Sequence, residues 1–270
     1  MYEAHFGLHR RPFVETVDPS THVPTPSRDA VVRRLRYALE HAQGPALVFG
    51  PPGSGKSLIA RVLARQLGTT TAYLTFPALP TSELLDYLAE ELGAGGPASL
   101  PDGSVIGPLR RLRQRLAAAS ARGERPLVVV DVAHLIDAPA TFEILQSLLN
   151  FATLGPPDLM LLLVGGAEVL LSLPEGLADR LAARCLLGAF TESETATYLH
   201  GRLNAAGATR PLFSPESIKT LHRAAEGLPR RLNRLADLAL LIAYAEGRPS
   251  PDARAIAAAT QDVDPDGMAA

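Results

Sequence analysis

The chain contains one cysteine in 270 residues. Cys185 alone forms no internal disulfide and no cysteine-built metal cluster, a usage that fits a reducing compartment. Long apolar runs are also missing. The most apolar stretch, Leu159 to Val164, falls far short of the ~20 residues a spanning helix needs, and it continues into Gly165, Gly166 and Glu168. The opening MYEAHFGLHRRPF lacks the apolar centre of a secretory leader. Both absences point to the cytoplasm. Charge of neither sign dominates: the formal net charge is −2, which excludes a polycation built to coat nucleic acid. Lysine is scarce, with Lys56 and Lys219 set against 24 arginines. A coding bias toward arginine, alanine, leucine, glycine and proline accounts for that in general, so the positions of the two lysines become informative.

At 47% hydrophobic and 20% charged, the composition is that of a soluble globular chain. Its length suits one large domain, or one with a smaller companion. The first 28 residues, with Pro12, Pro19, Pro24 and Pro26 around Phe6 and Phe13, read as an extended, anchored lead-in. A helix follows Ser27. Short apolar strands then alternate with helical patterns: strands at Ala46–Phe49, Thr71–Phe76, Leu127–Val130 and Leu159–Val164, and a fifth near Cys185–Ala189. Helices are expected over Ser57–Leu67, Ser82–Leu92, Pro108–Ala121 and Thr141–Phe151, with a Gly/Pro-rich connection at 94–107. Apolar strands alternating with helices predict a mainly parallel sheet covered on both faces, an α/β sandwich. After Phe190 the strand signals stop. Thr191 with Glu194 forms a capping-box pattern, Ser214-Pro215 and Pro229 open further helices, and Ser250-Pro251 opens the last. The expected division is an α/β domain over 1–190, a small all-helical domain over 191–262 and a flexible tail over 263–270.

Residues 50–57 read GPPGSGKS and match the P-loop (Walker A) pattern G-x-x-x-x-G-K-[ST]. The chemistry demands these types. Gly50, Gly53 and Gly55, spaced by Pro51, Pro52 and Ser54, let backbone N–H groups curl around a phosphate with no Cβ in the way. The helix that follows turns its free N–H groups and positive dipole end toward the same anion. Lys56 reaches the β and γ phosphates of ATP, and the Ser57 hydroxyl ligates Mg²⁺. A chance match in a chain of this composition has a probability on the order of 10⁻³. One of the two lysines thus stands where a compact ammonium is required; a plain glycine-rich turn is the competing reading. LVVVD at 127–131 has the form of a Walker B strand, with Asp131 as the second Mg²⁺-side acid. The competing reading there is an Asp that merely caps a helix.

These motifs, with YEAHFGL…RPF…DPS…PTPS at the start, VVVDVAHLID, LLNF…LMLLLVGGAEV, DRLAAR and GLPRRLNRLADLALLIAYAEG, resemble the AAA+ ATPases of the ExeA type, the general secretion pathway protein A-like group of P-loop NTPases. The resemblance covers about residues 2–248. It implies a P-loop NTPase αβα core with a helical AAA+ lid, ATP lying between them, and ring or dimer contacts that make a homo-oligomer. It places the lead-in from Phe13 to Pro19 beside the adenine. Arg230 matches the lid (sensor-2) arginine that reaches the phosphates, and Arg180 and Arg184 match arginines at the subunit boundary that act in trans. Independently, Arg230 and Arg231 stand at a helix N-terminus, where the dipole disfavours cations. That favours a role beyond helix stability, with a solvated arginine pair as the alternative.

Two departures bear on catalysis. The family's Walker B reads D-E-A-x, whereas this chain has Asp131-Val132-Ala133-His134. The glutamate that activates water is replaced by Val132, and losing a general base typically costs about 10²–10⁴ in rate. The polar sensor-1 position is Gly166. The expectation is normal binding of ATP with hydrolysis slow or lost; Asp137, Glu143 and His134 are candidate substitute bases that no spacing singles out. Secretion-type members carry a membrane span and an extra domain after the ATPase, and because this sequence ends at 270 the cell-envelope role is not carried over. The function expected is therefore an ATP-binding AAA+ protein acting on an unidentified protein partner. A non-hydrolysing switch or adaptor, and a DNA-associated transposition or replication regulator, are the alternatives. The Arg-rich segment 108–125 could serve nucleic acid, but with near-neutral charge and few interleaved aromatics a solvated face is favoured. Cys185 reads as a core residue.

Overall fold

In the computed structural model the described residues are 1–75, 79–95, 105–136, 139–150 and 158–263, and the side chains of residues 134, 139, 140 and 263 lie outside the description. Several expected features therefore fall outside it: Phe76, Asp137, the His134 side chain, Phe151, most of the 94–107 connection and the tail from 264. The elements in chain order are α1 (Tyr2–Phe6), α2 (Pro26–Glu40), β1 (Ala46–Phe49), α3 (Lys56–Leu67), β2 (Thr71–Leu74), α4 (Thr81–Glu91), α5 (Ile106–Ser120), β3 (Leu127–Val130) and α6 (Pro139–Leu148). There follow β4 (Met160–Gly165), α7 (Val169–Ser172), α8 (Glu175–Ala178), β5 (Ala183–Leu186), α9 (Glu192–Ala205), α10 (Pro215–Ala224), α11 (Pro229–Ala245) and α12 (Ala253–Val263). The chain divides into two compact units. One is Ala30–Pro51 with Ile59–Leu187; the other is Met1–Asp29, Pro52–Leu58 and the chain from Gly188 onward.

The first unit is built on a five-stranded parallel sheet in the order β2-β3-β4-β1-β5. The three inner strands are apolar at nearly every residue and buried throughout, apart from half-buried Phe49, as a sheet covered on both faces requires. The edge strands alternate instead. In β5, Ala183 and Cys185 are buried while Arg184 and Leu186 are exposed. This explains the offset from the expected Cys185–Ala189: the apolar letters run on past the strand, but pairing of Ala46 with Ala183 sets the register earlier. Leu84, Leu85 and Leu88 of α4, Leu112 and Leu116 of α5, and Phe142 and Leu145 of α6 pack into one core with Val128, Val130, Leu161 and Leu163. Register places Phe49 beside Gly165 and Val130 beside Leu163, so the carboxyl ends of β1, β4 and β3 are neighbours. In open α/β sheets that is the edge where ligands bind.

The second unit is helical. Its helices start where the side chains allow. The Thr191 hydroxyl accepts the Glu194 N–H at 3.2 Å and the Glu194 carboxylate accepts the Thr191 N–H at 3.0 Å, which satisfies two orphan donors at the head of α9. Leu199, Leu203, Leu221, Leu232, Leu240 and Ile256 form the core, and Tyr2, Phe6, Leu8 and Phe13 of the lead-in belong to the same core.

That placement differs from the expected one. The lead-in begins with a helical turn rather than extended chain, and it packs into the helical unit rather than the α/β domain. The reason is the large area its aromatic side chains bury: Phe13 meets Phe213 with ring centroids 6.2 Å apart. Its backbone polar groups are met by Arg202, 7% exposed, which donates to the Pro12 carbonyl at 2.8 Å, the Val14 carbonyl at 2.9 Å and the Tyr198 hydroxyl at 3.2 Å. Arg202→Met keeps an unbranched apolar stem but removes the guanidinium and leaves both carbonyls without this donor. It is expected to cost about 2–4 kcal/mol of stability, read as a lower midpoint in urea unfolding. A change below about 0.5 kcal/mol would show that the tether contributes nothing.

Candidate functional site

The phosphate-loop segment leaves β1 at Gly50 and enters α3 at Lys56. The Gly50 N–H donates to the Gly165 carbonyl at 3.3 Å, extending the ladder one residue beyond β1 onto the last residue of β4. Two positions require glycine. Gly50 has φ +157°, and a Cβ there would lie 2.3 Å from the Leu187 carbonyl oxygen. Gly53 has φ +78°, and a Cβ would lie 2.9 Å from the Arg230 Cβ. Beyond the loop, α3 opens with Lys56 and Ser57 and carries no acidic residue in its first turn. Its amino-terminal N–H groups and positive dipole end are therefore not neutralised from within the helix. The Ser54 side chain is buried and its hydroxyl has no hydrogen-bond partner among the described residues.

Within the helical unit the structure brings Arg230 to this loop: its backbone N–H donates to the Gly53 carbonyl at 3.2 Å. The Arg230 guanidinium is paired with Glu15 of the lead-in, Nε to Oε1 2.5 Å, both side chains about three-fifths exposed. Arg231 turns back to Glu226. Glu15 is a residue that the sequence pattern did not mark, as is Arg28, whose buried guanidinium donates to the Ser54 carbonyl at 3.1 Å.

In the sheet unit, Asp131 follows β3. Its N–H donates to the Leu74 carbonyl at 2.9 Å, and its carboxylate accepts the Val132 N–H at 2.9 Å. Val132 itself has φ +53°, a left-handed backbone that a β-branched side chain rarely adopts. The position therefore lacks a carboxylate and is also strained. The bond from the Val132 N–H to Asp131 is not a helix cap: the 3-10 turn at Ala133–Leu135 has Val132 at its cap position and no side-chain capping bond. Gly166 follows β4, and a Cβ there would lie 1.9 Å from Glu168 Oε2, so the Glu168 carboxylate occupies the space of the missing side chain. Glu143 is exposed on α6.

The arginines matched to a subunit boundary lie elsewhere in the sheet unit. Arg180 donates to Asn150 Oδ1 at 2.8 Å, and Arg184, exposed on β5, donates to the Ala178 carbonyl at 2.6 Å. The Arg-rich segment is largely occupied internally. Arg111 pairs with Asp86 of α4, Arg115 donates to the Leu92 carbonyl at 2.7 Å, Arg122 pairs with Glu124 and Arg125 donates to the Leu39 carbonyl at 3.0 Å.

A parallel sheet of this order, a glycine loop after β1, an acid after β3 and an appended helical unit define the P-loop NTPase class. Residues 39–172 match the family described as "AAA domain". The chain belongs to the AAA+ ATPase family of the P-loop NTPase superfamily, with an α/β core followed by an α-helical lid. Over 257 residues it is 33% identical to General secretion pathway protein A of Aeromonas hydrophila, covering 92% of this chain but 46% of that protein, less than half its length. Among solved structures it is similar to Cdc6p from Pyrobaculum aerophilum (18% identity, TM-score 0.73, 93% of this chain and 70% of that one). It is likewise similar to the Aeropyrum pernix ORC2 protein in its ADPNP–ADP complexes (19% identity, TM-score 0.69, 94% of this chain and 71% of that one). At those identities the structures establish shared fold. No helix among the described residues is long and apolar enough to cross a membrane.

Proposed function

We propose that the chain is a nucleotide-binding AAA+ protein that holds Mg²⁺ and ATP and hydrolyses the nucleotide slowly or not at all, its nucleotide state setting an assembly or a protein partner. The observation that carries this is the loop Gly50–Ser57: backbone angles at Gly50 and Gly53 that side chains disfavour, leading into a helix whose first turn offers Lys56 and Ser57 and no acid. Such a cradle fits a phosphate chain. In this reading Lys56 holds the β and γ phosphates, Ser57 and Asp131 hold Mg²⁺, and Arg230, on the lid formed by residues 191–262, exchanges Glu15 for phosphate. ATP supplies the phosphoanhydride, and what the chain withholds is the group that would activate water. Val132 can accept no proton and Gly166 offers no polar side chain to the γ-phosphate.

The ADPNP–ADP complexes of the ORC2 relative agree with nucleotide binding. Arg180 and Arg184 are assigned to contacts between copies in a homo-oligomer. The pathway of the secretion relative is not assigned, since the chain spans under half of that protein. A nucleic-acid role is not favoured, because the net charge is near zero and Arg111, Arg115, Arg122 and Arg125 make contacts within the chain. The other two arginines of that segment, Arg110 and Arg113, are exposed.

Ligand-linked stabilisation tests the reading. A ligand that binds the native state raises unfolding free energy by about 2.7 kcal/mol at a hundredfold excess over Kd. Mg²⁺ with ATP is expected to raise the thermal midpoint in a concentration-dependent way, and adenosine at the same concentration is not. Equal midpoints with and without ATP across millimolar concentrations would remove the assignment.

A further inference from the structure

Arg28 is placed where an arginine is costly. It lies in the first turn of α2, where the helix dipole disfavours a cation, and it is 4% exposed. Burial pushes its pKa down to about 10, against the opposing pull of Glu194 and Tyr198. An uncompensated buried charge is strongly destabilising, so its contacts show what the arrangement accomplishes. The guanidinium lies over the face of Phe190, 4.1 Å from the ring centroid. One nitrogen donates to the Ser27 hydroxyl at 3.2 Å and the other to the Ser54 carbonyl at 3.1 Å. Glu194, also buried, accepts the Ser27 N–H at 2.8 Å and so fixes the turn from which Arg28 projects.

The Ser54 carbonyl is one of a pair. The preceding carbonyl, Gly53, accepts the Arg230 N–H at 3.2 Å. The peptide unit is planar and trans, so its C=O and the following N–H point to opposite sides. Holding the Gly53 and Ser54 carbonyls therefore fixes the directions of the Ser54 and Gly55 N–H groups, which belong to the stretch of loop that would meet a phosphate. Glycine at 53 and 55 would otherwise leave these peptides free to rotate.

We propose that Arg28 is a positioning residue for the phosphate loop: its buried guanidinium, stacked on Phe190, holds the Ser54 carbonyl so that the adjoining N–H groups stay directed at the nucleotide's β-phosphate. The proposal rests on the nucleotide reading above and deepens it. Arg28 touches no phosphate; it acts through the loop backbone.

The test is the ratio of affinities for ADP and AMP, which isolates the β-phosphate from the rest of the ligand. Arg28→Met retains bulk in the cavity and removes the donor. It is expected to lower the ADP-to-AMP affinity ratio about tenfold or more, the size of one charge-assisted hydrogen bond, with AMP affinity little changed. Arg28→Lys restores a donor without the stacking plane and is expected to recover part of the ratio. A merely structural arginine would weaken both nucleotides together and leave the ratio alone, and that result in folded Arg28→Met overturns the proposal. Should Arg28→Met not fold, Phe190→Leu, which removes the ring beneath the guanidinium, is expected to lower the same ratio about threefold; an unchanged ratio there overturns it equally. If the native protein binds ADP no better than AMP, the nucleotide reading itself fails, and the two failures are distinguishable.

Discussion

Lys56→Ala is expected to weaken ATP binding by about a hundredfold while leaving the unliganded protein's stability within about 0.5 kcal/mol of native. The side chain is assigned to the β and γ phosphates, where a compact ammonium contributes charge-assisted hydrogen bonds that water at the site cannot replace. Two further variants make the interpretation sharp. Lys219→Ala on α10 removes the other lysine and is expected to change nothing. Lys56→Arg is expected to recover little, because a planar guanidinium does not occupy the place of a point charge in a tight loop. The chain uses arginine almost everywhere else, so a fully active Lys56→Arg would show that lysine at this position is accidental. Isothermal titration with Mg²⁺ and ATP measures all three.

The second large effect concerns hydrolysis. Val132→Glu is expected to raise the single-turnover rate of ATP cleavage by about 10²-fold, the lower end of what a positioned general base contributes. The full range is not expected, since Gly166 carries no side chain of its own at the sensor-1 position and the anionic Glu168 carboxylate occupies that space. Val132→Gln supplies similar size and no base and is expected to leave the rate at the native level. Val132→Gly addresses the alternative that backbone strain limits turnover. It relieves the φ of +53°, which costs roughly 1–2 kcal/mol for a non-glycine residue, and it is expected to leave the rate unchanged. A gain in Val132→Gly equal to that in Val132→Glu would mean that conformation, not the missing carboxylate, holds hydrolysis back.

The legible parts of this fold are those where one local signal decides. Ala46–Phe49 and Leu127–Val130 are strands with the expected bounds because both are fully apolar and sit next to loop chemistry that ends them. The capping box at Thr191 and Glu194 starts α9 where the side chains say it should. The lead-in was less legible. Proline spacing suggests extended chain, but Tyr2, Phe6, Leu8 and Phe13 bury themselves in a core whose other members lie some two hundred residues away, and nothing local announces that. The same applies to the site. Glycine spacing and Lys56 are read from eight consecutive residues. Glu15 against Arg230, Arg28 against Ser54 and Glu168 over Gly166 are not: the first two join segments distant in sequence, and the third depends on how a turn folds back after β4. Short helices such as α7 and α8 also escape pattern reading, because four residues carry too little periodicity.

The claim at the centre is that this chain keeps the groups that hold ATP and lacks the group that uses it. Native protein pre-loaded with γ-labelled ATP and Mg²⁺, followed through a single turnover, tests both halves in one sample. The expected result is saturable binding with the bound ATP remaining intact over the period in which Val132→Glu converts it to ADP and phosphate. Absence of saturable binding, or native cleavage as fast as that of Val132→Glu, would contradict it.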